Sequence, residues 1–234
     1  MSKKGQNKKL KALNAPKTIK VNRKEKVWVV KTRAGPHNAK NSIPLGIILR
    51  DYIKIASTIK EAKNILLSNT VKIDGKIKKD YRLGIGLFDT ITIEKQKLYY
   101  MVILDNKGRL ILKDLKEELK EKICKVEHKN ALGKKVQITT NDGRTFINNE
   151  AKIGDSIKIN LPEGKIIKVL KLKEKAIVYI TKGSHCSEKG IIKEIISSTI
   201  KREKLVKLEQ DGIIFETIAK NIIVIGEGKE EIQI

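Results

Sequence analysis

The first 43 residues carry half of the net charge of this chain. They contain thirteen lysines and arginines against one acidic residue, Glu25, in a sequence whose net charge is +24. A segment this basic repels itself when it collapses, so we expect residues 1–43 to be extended and mobile alone in water and to take shape when a polyanion neutralises them. A solubilising tail is the simpler interpretation of the same charge.

The rest of the sequence is suited to folding and offers little for chemistry. Apolar residues make up 40% of the 234 positions, enough to bury the cores of one large or two to three small compact units. Cys124 and Cys186 lie far apart and no two histidines have metal-ligand spacing, so we expect a reducing compartment, no disulfide, no metal and no cofactor. The sequence has no long apolar run, so we expect neither membrane insertion nor secretion.

Positive charge decreases along the chain. Residues 44–97 hold eleven basic and six acidic side chains, residues 98–172 sixteen and ten, and residues 173–234 eleven and ten. The nine aromatic residues are scattered, whereas modules that stack successive bases of a single strand need clustered aromatics. The composition therefore favours contacts to phosphates, sugars and folded shape.

Two helices and a hairpin are predicted within residues 44–97. Apolar residues recur at helical spacing after Pro44, and a second helix begins at Thr58, with Glu61 three residues later forming a capping box. The Asp74-Gly75 pair between two short apolar runs is a strong hairpin signal. The second helix is expected to bury Ile59, Ala62, Ile65 and Leu66.

Short strands dominate the remaining sequence. In residues 98–172 the pattern predicts strands over 99–104, 109–113, 135–139, 145–147 and 156–161, and a short helix over 114–122. In residues 173–234 it predicts strands over 176–180, 190–196, 206–208, 213–217 and 222–225, at the regular spacing of a small barrel.

The predicted fold class is therefore α+β, in four segments. These are a basic N-terminal extension over residues 1–43, a small two-helix and β-hairpin RNA-binding domain over 44–97, a β-rich central domain over 98–172, and a small SH3-like, KOW-type β-barrel over 173–234.

Residues 44–97 resemble the RNA-binding domain first seen in bacterial small-subunit ribosomal protein four, and the C-terminal segment resembles a KOW motif. The first likeness lies in the segments 42–45, 49–51, 61–62, 71–76 and 86–89. The second lies in the segment 176–183, which begins with the predicted strand, a polar loop over 184–188 and the segment 189–192. With the landmarks Ala15-Pro16-Lys17, Gly35-Pro36-His37 and Asp142-Gly143-Arg144, the whole chain resembles the S4e family of archaeal and eukaryotic small-subunit ribosomal proteins.

This resemblance implies a non-catalytic, cytoplasmic ribosomal protein. Its partners would be small-subunit ribosomal RNA and neighbouring ribosomal proteins, with no membrane and no small-molecule substrate. Two alternatives remain open: an RNA-modifying enzyme with the same RNA-binding domain, in which Asp142 would be a catalytic carboxylate instead of a turn residue, and a free KOW-type translation or transcription factor.

The candidate RNA-binding residues are basic side chains of the extension, of the polar sides of the helices and hairpin, and of the C-terminal loop. They are Lys3, Lys4, Lys8, Lys9, Lys11, Lys17, Arg23, Lys24, Lys26, Arg33, His37, Arg50, Lys54, Lys60, Lys63, Lys72, Lys76, Lys78, Lys79, Arg82, Lys182, His185 and Lys189.

Overall fold

The chain forms two compact units. The first consists of Met1–Val102 and Arg109–Lys116, and the second of Ile103–Gly108 and Glu117–Ile234. The structure, a computed structural model, describes residues 9–133, 135–199, 202–210, 212–228 and 231. Its described residues are β-rich and contain two short α-helices.

The elements up to residue 115 build a helix pair and a five-stranded sheet. The helices are α1 (Leu45–Ile47), which continues as a π-helical turn over Ile48–Tyr52, and α2 (Ile59–Leu67). The strands are β1 (Leu10–Lys11), β2 (Trp28–Val29), β3 (Ile43–Pro44), β4 (Val71–Ile73), β5 (Lys76–Ile77), β6 (Gly84–Ile85), β7 (Thr90–Ile93), β8 (Leu98–Leu104) and β9 (Leu110–Leu115). The sheet order is β5-β4-β7-β8-β9, and β1 with β2 and β3 with β6 form separate two-stranded ribbons.

Helix α2 begins as the capping box predicts. The Thr58 hydroxyl accepts a hydrogen bond from the Glu61 N–H at 3.2 Å, and the Glu61 carboxylate accepts one from the Ser57 N–H at 2.8 Å. The first bond satisfies an amide that the first turn leaves without a helical partner, and the second holds the residue that precedes the cap. Ala62 and Leu66, one turn apart, are fully buried and fix the face that packs inward.

The first predicted helix is α-helical for only three residues before it widens. The Ile53 N–H donates to the Ile48 carbonyl at 2.9 Å, which is the i to i−5 bond of a π-turn. Leu45, Ile48 and Leu49 are fully buried, as the apolar spacing predicts. An α-turn and a π-turn differ by one residue in their hydrogen-bond partner, a difference that the apolar pattern does not encode.

The hairpin between β4 and β5 is confirmed. Asp74 and Gly75 have φ values of 50° and 72°, the positive pair that a type I′ turn requires. The Asp74 carboxylate also accepts from the Thr90 N–H at 3.0 Å, which ties the turn to β7.

The extension contains more structure than its charge predicts. Among its described residues, β1 pairs with β2, and Ala12, Ile19 and Val29 are buried. The Tyr52 hydroxyl accepts from the Lys20 N–H at 2.9 Å and donates to the Leu110 carbonyl at 3.2 Å. Our expectation of an extended segment is therefore wrong for residues 10–29, because spaced apolar side chains and backbone hydrogen bonds anchor it despite its charge.

Two five-stranded sheets make up most of the second unit. The strands are β10 (Glu121–Leu132), β11 (Lys135–Thr140), β12 (Thr145–Ile147), β13 (Ser156–Asn160), β14 (Ile166–Leu170), β15 (Ala176–Ile180), β16 (Lys189–Ile196), β17 (Leu205–Gln210), β18 (Ile213–Ile218) and β19 (Ile222–Glu227). The sheet orders are β12-β11-β10-β13-β14 and β18-β17-β16-β15-β19, with antiparallel neighbours throughout.

Buried apolar side chains hold the first of these sheets together. Its core cluster is Cys124, Val126, Ile138, Ala151, Ile157, Ile159 and Leu161. Two lysines of β10 are also buried, and one of them, Lys125, donates through Nζ to the carbonyls of Ala219, Lys220 and Ile222 at 2.7–2.9 Å. A buried ammonium with three acceptors is compatible with a core because its donors are satisfied.

The predicted helix over residues 114–122 is wrong. Asp114 and Leu115 end β9, and β10 begins at Glu121. Strands β8 and β9 lie in the same sheet as β4, β5 and β7, although we assigned their residues to the central segment. Each remaining strand predicted between residues 98 and 234 has a counterpart in the structure.

Candidate nucleic-acid interface

The lysines of the extension are presented to solvent. Lys11, Lys17 and Lys24 are exposed. Lys26 Nζ lies 3.6 Å from the Glu25 carboxylate. A hydrogen bond from Asn22 and the positive charge of Lys26 lower the pKa of Glu25, so the acid stays ionised and offsets only one of these cations. Lys3, Lys4 and Lys8 lie outside the described residues.

Trp28 stands among these lysines. Its indole is the only one in the sequence, and the residue is 51% exposed on β2. Lys9 Nζ lies 5.7 Å from the ring centroid, within cation–π range. Sequence reasoning did not select Trp28, although a tryptophan inside a basic segment is a signal that could have identified it.

Two arginines use their guanidinium groups within the fold. Arg23 donates to the Leu13 carbonyl at 2.9 Å and to the Ala15 carbonyl at 3.1 Å. Arg82 donates from Nε to the Lys31 carbonyl at 3.2 Å. Both side chains therefore hold the path of the extension.

Arg33 and Arg50 differ in exposure. Arg33 is largely exposed, 3.6 Å from the Asp80 carboxylate. The Arg50 side chain is only 10% exposed and forms two hydrogen bonds with Asp51, at 2.6 and 2.7 Å. These bonds raise the pKa of Arg50. A guanidinium paired in this way has few donors available for a phosphate. Arg50 therefore belongs with the residues that make contacts within the fold.

His37 is also internal. Its Nε2 lies 2.8 Å from the Asp89 carboxylate, and both side chains are buried. The imidazole packs against Gly86 so closely that a Cβ on this glycine would lie 2.3 Å from His37 Nδ1. The same Asp89 carboxylate accepts from the Gly86 N–H at 2.8 Å. His37 therefore anchors the Gly-Pro-His turn, and its burial contradicts our placement of it at an exposed interface.

Helix α2 and the hairpin supply a second set of cations. Lys60 and Lys63 are exposed on α2, whereas Ala62 and Leu66 of the same helix are buried. Lys63 Nζ lies 4.3 Å from the centroid of the Tyr81 ring.

The other predicted cations of this region vary in exposure. Lys54, Lys76 and Lys79 are exposed, and Lys78 is half-buried. Lys72 is half-buried and forms an ion pair with Glu94.

The C-terminal loop offers less positive charge. Lys182 is exposed and Lys189 is half-buried. The His185 ring stacks on Phe215 with centroids 3.9 Å apart, and its Nδ1 lies 2.9 Å from the Glu188 carboxylate. His185 is thus committed to contacts within its own sheet, and Lys182 is the exposed cation of the three.

Asp142 is enclosed in the turn between β11 and β12. Lys122 Nζ lies 3.4 Å and Arg144 Nε 3.2 Å from its carboxylate, which also accepts from Thr140 and from Cys124. Burial raises the pKa of Asp142, but these cations and hydrogen bonds outweigh burial and hold it below its ordinary value. With its side chain only 2% exposed, this carboxylate serves the fold and cannot meet a nucleoside.

Two further features of the described residues bear on function, namely groups that could hold a metal ion and helices that could cross a membrane. Among the described positions, no group of three or more His, Cys, Asp or Glu side chains is arranged to hold a metal ion. Neither described helix has the length and apolar content needed to cross a bilayer.

Comparisons with known proteins show which families this chain is similar to. The model of the Ribosomal family S4e matches residues 96–166, and that of the RS4NT (NUC023) domain matches residues 4–40. The crystal structure of the 30S ribosomal protein S4e from Thermoplasma acidophilum is similar with a TM-score of 0.70 and 34% identity, over 80% of this chain and 96% of that one.

Relatives of similar length extend the likeness to the whole sequence. The small ribosomal subunit protein eS4 of Archaeoglobus fulgidus is 38% identical over 219 residues, which cover 93% of this chain and 92% of that protein. The protein of the same name from Methanosphaera stadtmanae is 38% identical over 237 residues, covering 100% and 98%. Because the identity of 38% extends over nearly the full length of this chain and of each relative, the chain belongs to the small ribosomal subunit protein eS4 family.

Proposed function

We propose that this chain is a structural constituent of the small ribosomal subunit that binds and stabilises ribosomal RNA without catalysing a reaction. The names of its relatives support a ribosomal and therefore cytoplasmic role. The observation that carries the proposal is the division of its basic residues. Exposed lysines cover the extension and α2, whereas Arg23, Arg50, Arg82 and His37 hold the fold.

The spacing of Lys60 and Lys63 supports the proposal that this surface binds a polyanion. Residues three apart on a helix are neighbours, and like charges there destabilise an isolated helix by about 0.2–0.5 kcal/mol. A phosphate backbone removes this repulsion, and the release of its counterions favours binding. The same reasoning applies to Lys11, Lys17 and Lys24 in the extension.

The proposed interface keeps the described lysines of the sequence prediction and Arg33, and leaves out the arginines and histidines whose side chains hydrogen-bond within the fold. Its described members are Lys9, Lys11, Lys17, Lys24, Lys26, Arg33, Lys54, Lys60, Lys63, Lys72, Lys76, Lys78, Lys79 and Lys182. Lys189 is half-buried beside the C-terminal loop and is a secondary member.

We further propose how the segments share the work. Residues 44–97 would act as the helical RNA-binding domain, and the β18-β17-β16-β15-β19 sheet as a KOW-type barrel. Because residues 173–234 are nearly neutral, this end is the proposed meeting point with neighbouring ribosomal proteins.

The test is incorporation of a charge-reversed chain into the small subunit. In Lys60→Glu/Lys63→Glu, two exposed cations of α2 become anions while the buried face keeps its packing. We expect the native protein to sediment with small subunits at moderate salt and the double variant to remain mostly in the free fractions. A matched control is Lys193→Glu/Lys220→Glu, which changes charge equally on residues that already face Glu209 and Glu203.

Each result has a defined meaning. Thermal unfolding of both double variants establishes that they fold. If Lys60→Glu/Lys63→Glu sediments with the small subunit as the native protein does, α2 is not an RNA-binding face. If the native protein itself is recovered only in free fractions, the ribosomal role is wrong for this chain.

A further inference from the structure

The ribbon formed by β1 and β2 presents an aromatic side chain between cations. Lys11 lies directly opposite Trp28 in the antiparallel register, so their side chains share one face of the ribbon. Lys9, two residues before Lys11, extends towards this face and its Nζ lies 5.7 Å from the Trp28 ring centroid. The opposite face carries Val29, which is buried.

An indole left half exposed forgoes a large share of the stabilisation that its burial would contribute. Tryptophan offers a large apolar surface, and its placement on the solvent face of a short ribbon therefore points to a partner. The neighbouring Leu13 and Val27 are exposed as well, at 70% and 67%. The ribbon thus combines an apolar surface with positive charge.

The charge around Trp28 identifies the chemistry of the partner. Glu25 is the only acid in the first 43 residues, and it is already engaged by Lys26 and Asn22. An apolar protein surface placed on Trp28 would cover the exposed Lys11 beside it without supplying a counter-charge. A nucleotide matches both features, because its base offers a π-face to the indole and its phosphate offers an anion to the lysines.

We propose that Trp28 is a stacking platform for an unpaired base of the small-subunit ribosomal RNA, with Lys9 and Lys11 meeting the phosphates on either side of that base. This inference rests on the proposed function and adds the class of RNA feature that the extension recognises. A base held in a duplex already stacks on its neighbours, so the platform selects a looped-out or single-stranded nucleotide.

The single tryptophan makes this contact directly observable. Because the sequence has no other indole, the tryptophan fluorescence of the full chain reports on Trp28 alone. We would titrate the protein with deproteinised small-subunit ribosomal RNA and measure binding independently by filter retention. Stacking predicts quenching of the emission that saturates at the same RNA concentration as binding.

Substitution then measures what the contact contributes. Base–aromatic stacking corresponds to an affinity change of about 5- to 150-fold per base. We expect Trp28→Leu to weaken binding within that range and Trp28→Phe to retain most of the affinity. Ile147→Ala, at an exposed apolar residue of β12 outside the proposed interface, is the control and should bind as the native chain does.

A pair of short probes separates base stacking from phosphate contact. A hairpin with unpaired adenines should quench Trp28, whereas a fully paired duplex of equal charge should bind more weakly and quench little.

Three results would overturn the proposal. Binding by filter retention with unchanged emission, together with native affinity in Trp28→Leu, would reject the stacking platform and leave the proposed function intact. Quenching that appears only in assembled small subunits and never with naked RNA would assign Trp28 to a protein neighbour. If the native chain fails to bind the RNA by filter retention, the proposed function itself fails. Should Trp28→Leu not fold, the titration of the native chain and Trp28→Phe carry the same decision.

Discussion

His37 Nε2 lies 2.8 Å from the Asp89 carboxylate, and the two residues are separated by more than fifty positions in the sequence. This contact attaches the end of the basic extension to the turn that precedes β7. It explains why a histidine in a basic, turn-forming stretch is unavailable to RNA. It also explains the glycine at position 86, because the imidazole occupies the space that a Cβ would need.

Gly86→Ala should destabilise the protein. The added Cβ would overlap the His37 ring, and overpacking of this kind costs about 1–3 kcal/mol. Gly35→Ala is the matched control, because its Cβ would have its nearest contact at 3.6 Å and should change the free energy of unfolding by no more than about 0.5 kcal/mol. Urea unfolding of both variants measures the difference. Equal stabilities would show that the imidazole does not lie against Gly86.

Tyr52→Phe should loosen the extension more than the rest of the protein. The hydroxyl accepts from Lys20 and donates to Leu110, so its removal breaks two hydrogen bonds at a net cost of about 1–3 kcal/mol. Hydrogen exchange should show faster exchange of the amides of Lys20 and Leu110, with little change in the second unit. Tyr99→Phe on β8 is the control. An isolated native chain without protection at Lys20 would restore the view of a fully mobile extension.

Asp142→Asn should be strongly destabilising. It removes the charge that faces the buried Lys122 and Arg144, and breaking a buried ion pair costs about 3–5 kcal/mol. Asp114→Asn removes one exposed carboxylate charge and should stay within about 0.5 kcal/mol of the native protein. Denaturant unfolding at neutral pH distinguishes the two, and similar effects would contradict an ionised Asp142.

The same carboxylate should contribute to acid sensitivity. Its pKa is lower in the folded chain than the value of about 3.9 in an unfolded one, so its stabilisation is complete above that pH and is lost as the pH falls through the folded value. Between about pH 5 and pH 3 the native protein should therefore lose more free energy of unfolding than Asp142→Asn. Parallel urea curves at these pH values provide the measurement.

Lys125→Met should also destabilise, and the size of the effect should depend on pH. Burial lowers the pKa of Lys125 to about 8, so between that value and the unfolded value of about 10.4 the folded chain binds fewer protons than the unfolded chain. Native stability relative to Lys125→Met should consequently rise between pH 8 and pH 10. Lys152→Met, at an exposed position, should show no such pH dependence.

Neutralising the exposed lysines of the extension should weaken the salt dependence of RNA binding. Each lost phosphate contact lowers the slope of log affinity against log salt by about 0.7–0.9. Lys11→Gln/Lys17→Gln/Lys24→Gln should therefore reduce the slope by about 2–3, whereas the corresponding triple arginine variant should keep it. Filter retention at several salt concentrations measures this slope. An unchanged slope in the glutamine variant would remove these residues from the interface.

Local sequence signals were sufficient for several elements. The Thr58 and Glu61 cap and the Asp74-Gly75 turn involve residues within four positions of each other, so their chemistry is visible in the sequence. The whole of β10 was missed: its first two residues were assigned to the predicted helix over 114–122, whose charges also suit an exposed connector, and no strand was predicted for the rest. Lys122 is buried beside the Asp142 carboxylate, and Lys125 is buried where it donates to backbone carbonyls within residues 219–222. Both sets of acceptors are distant in the sequence.

The sequence predicted the class of partner better than it predicted the individual residues of the candidate site. Composition indicated a polyanion, and the exposed lysines fit that partner. Arg50 and His37 were included because a sequence shows a charge without showing what faces it. For His37 that partner is Asp89, far along the chain, and for Arg50 it is the adjacent Asp51.

The contact between the extension and Leu110 has a consequence for biosynthesis. Translation proceeds from the amino terminus, and the Ile19 bridge and the Tyr52 hydroxyl both meet Leu110, which emerges about ninety residues after Ile19. The most basic part of the nascent chain therefore leaves the exit tunnel long before its docking site exists. During that interval its lysines are exposed to other RNA molecules. The synthesis of β9 therefore sets how long the undocked extension of the nascent chain can bind anions non-specifically.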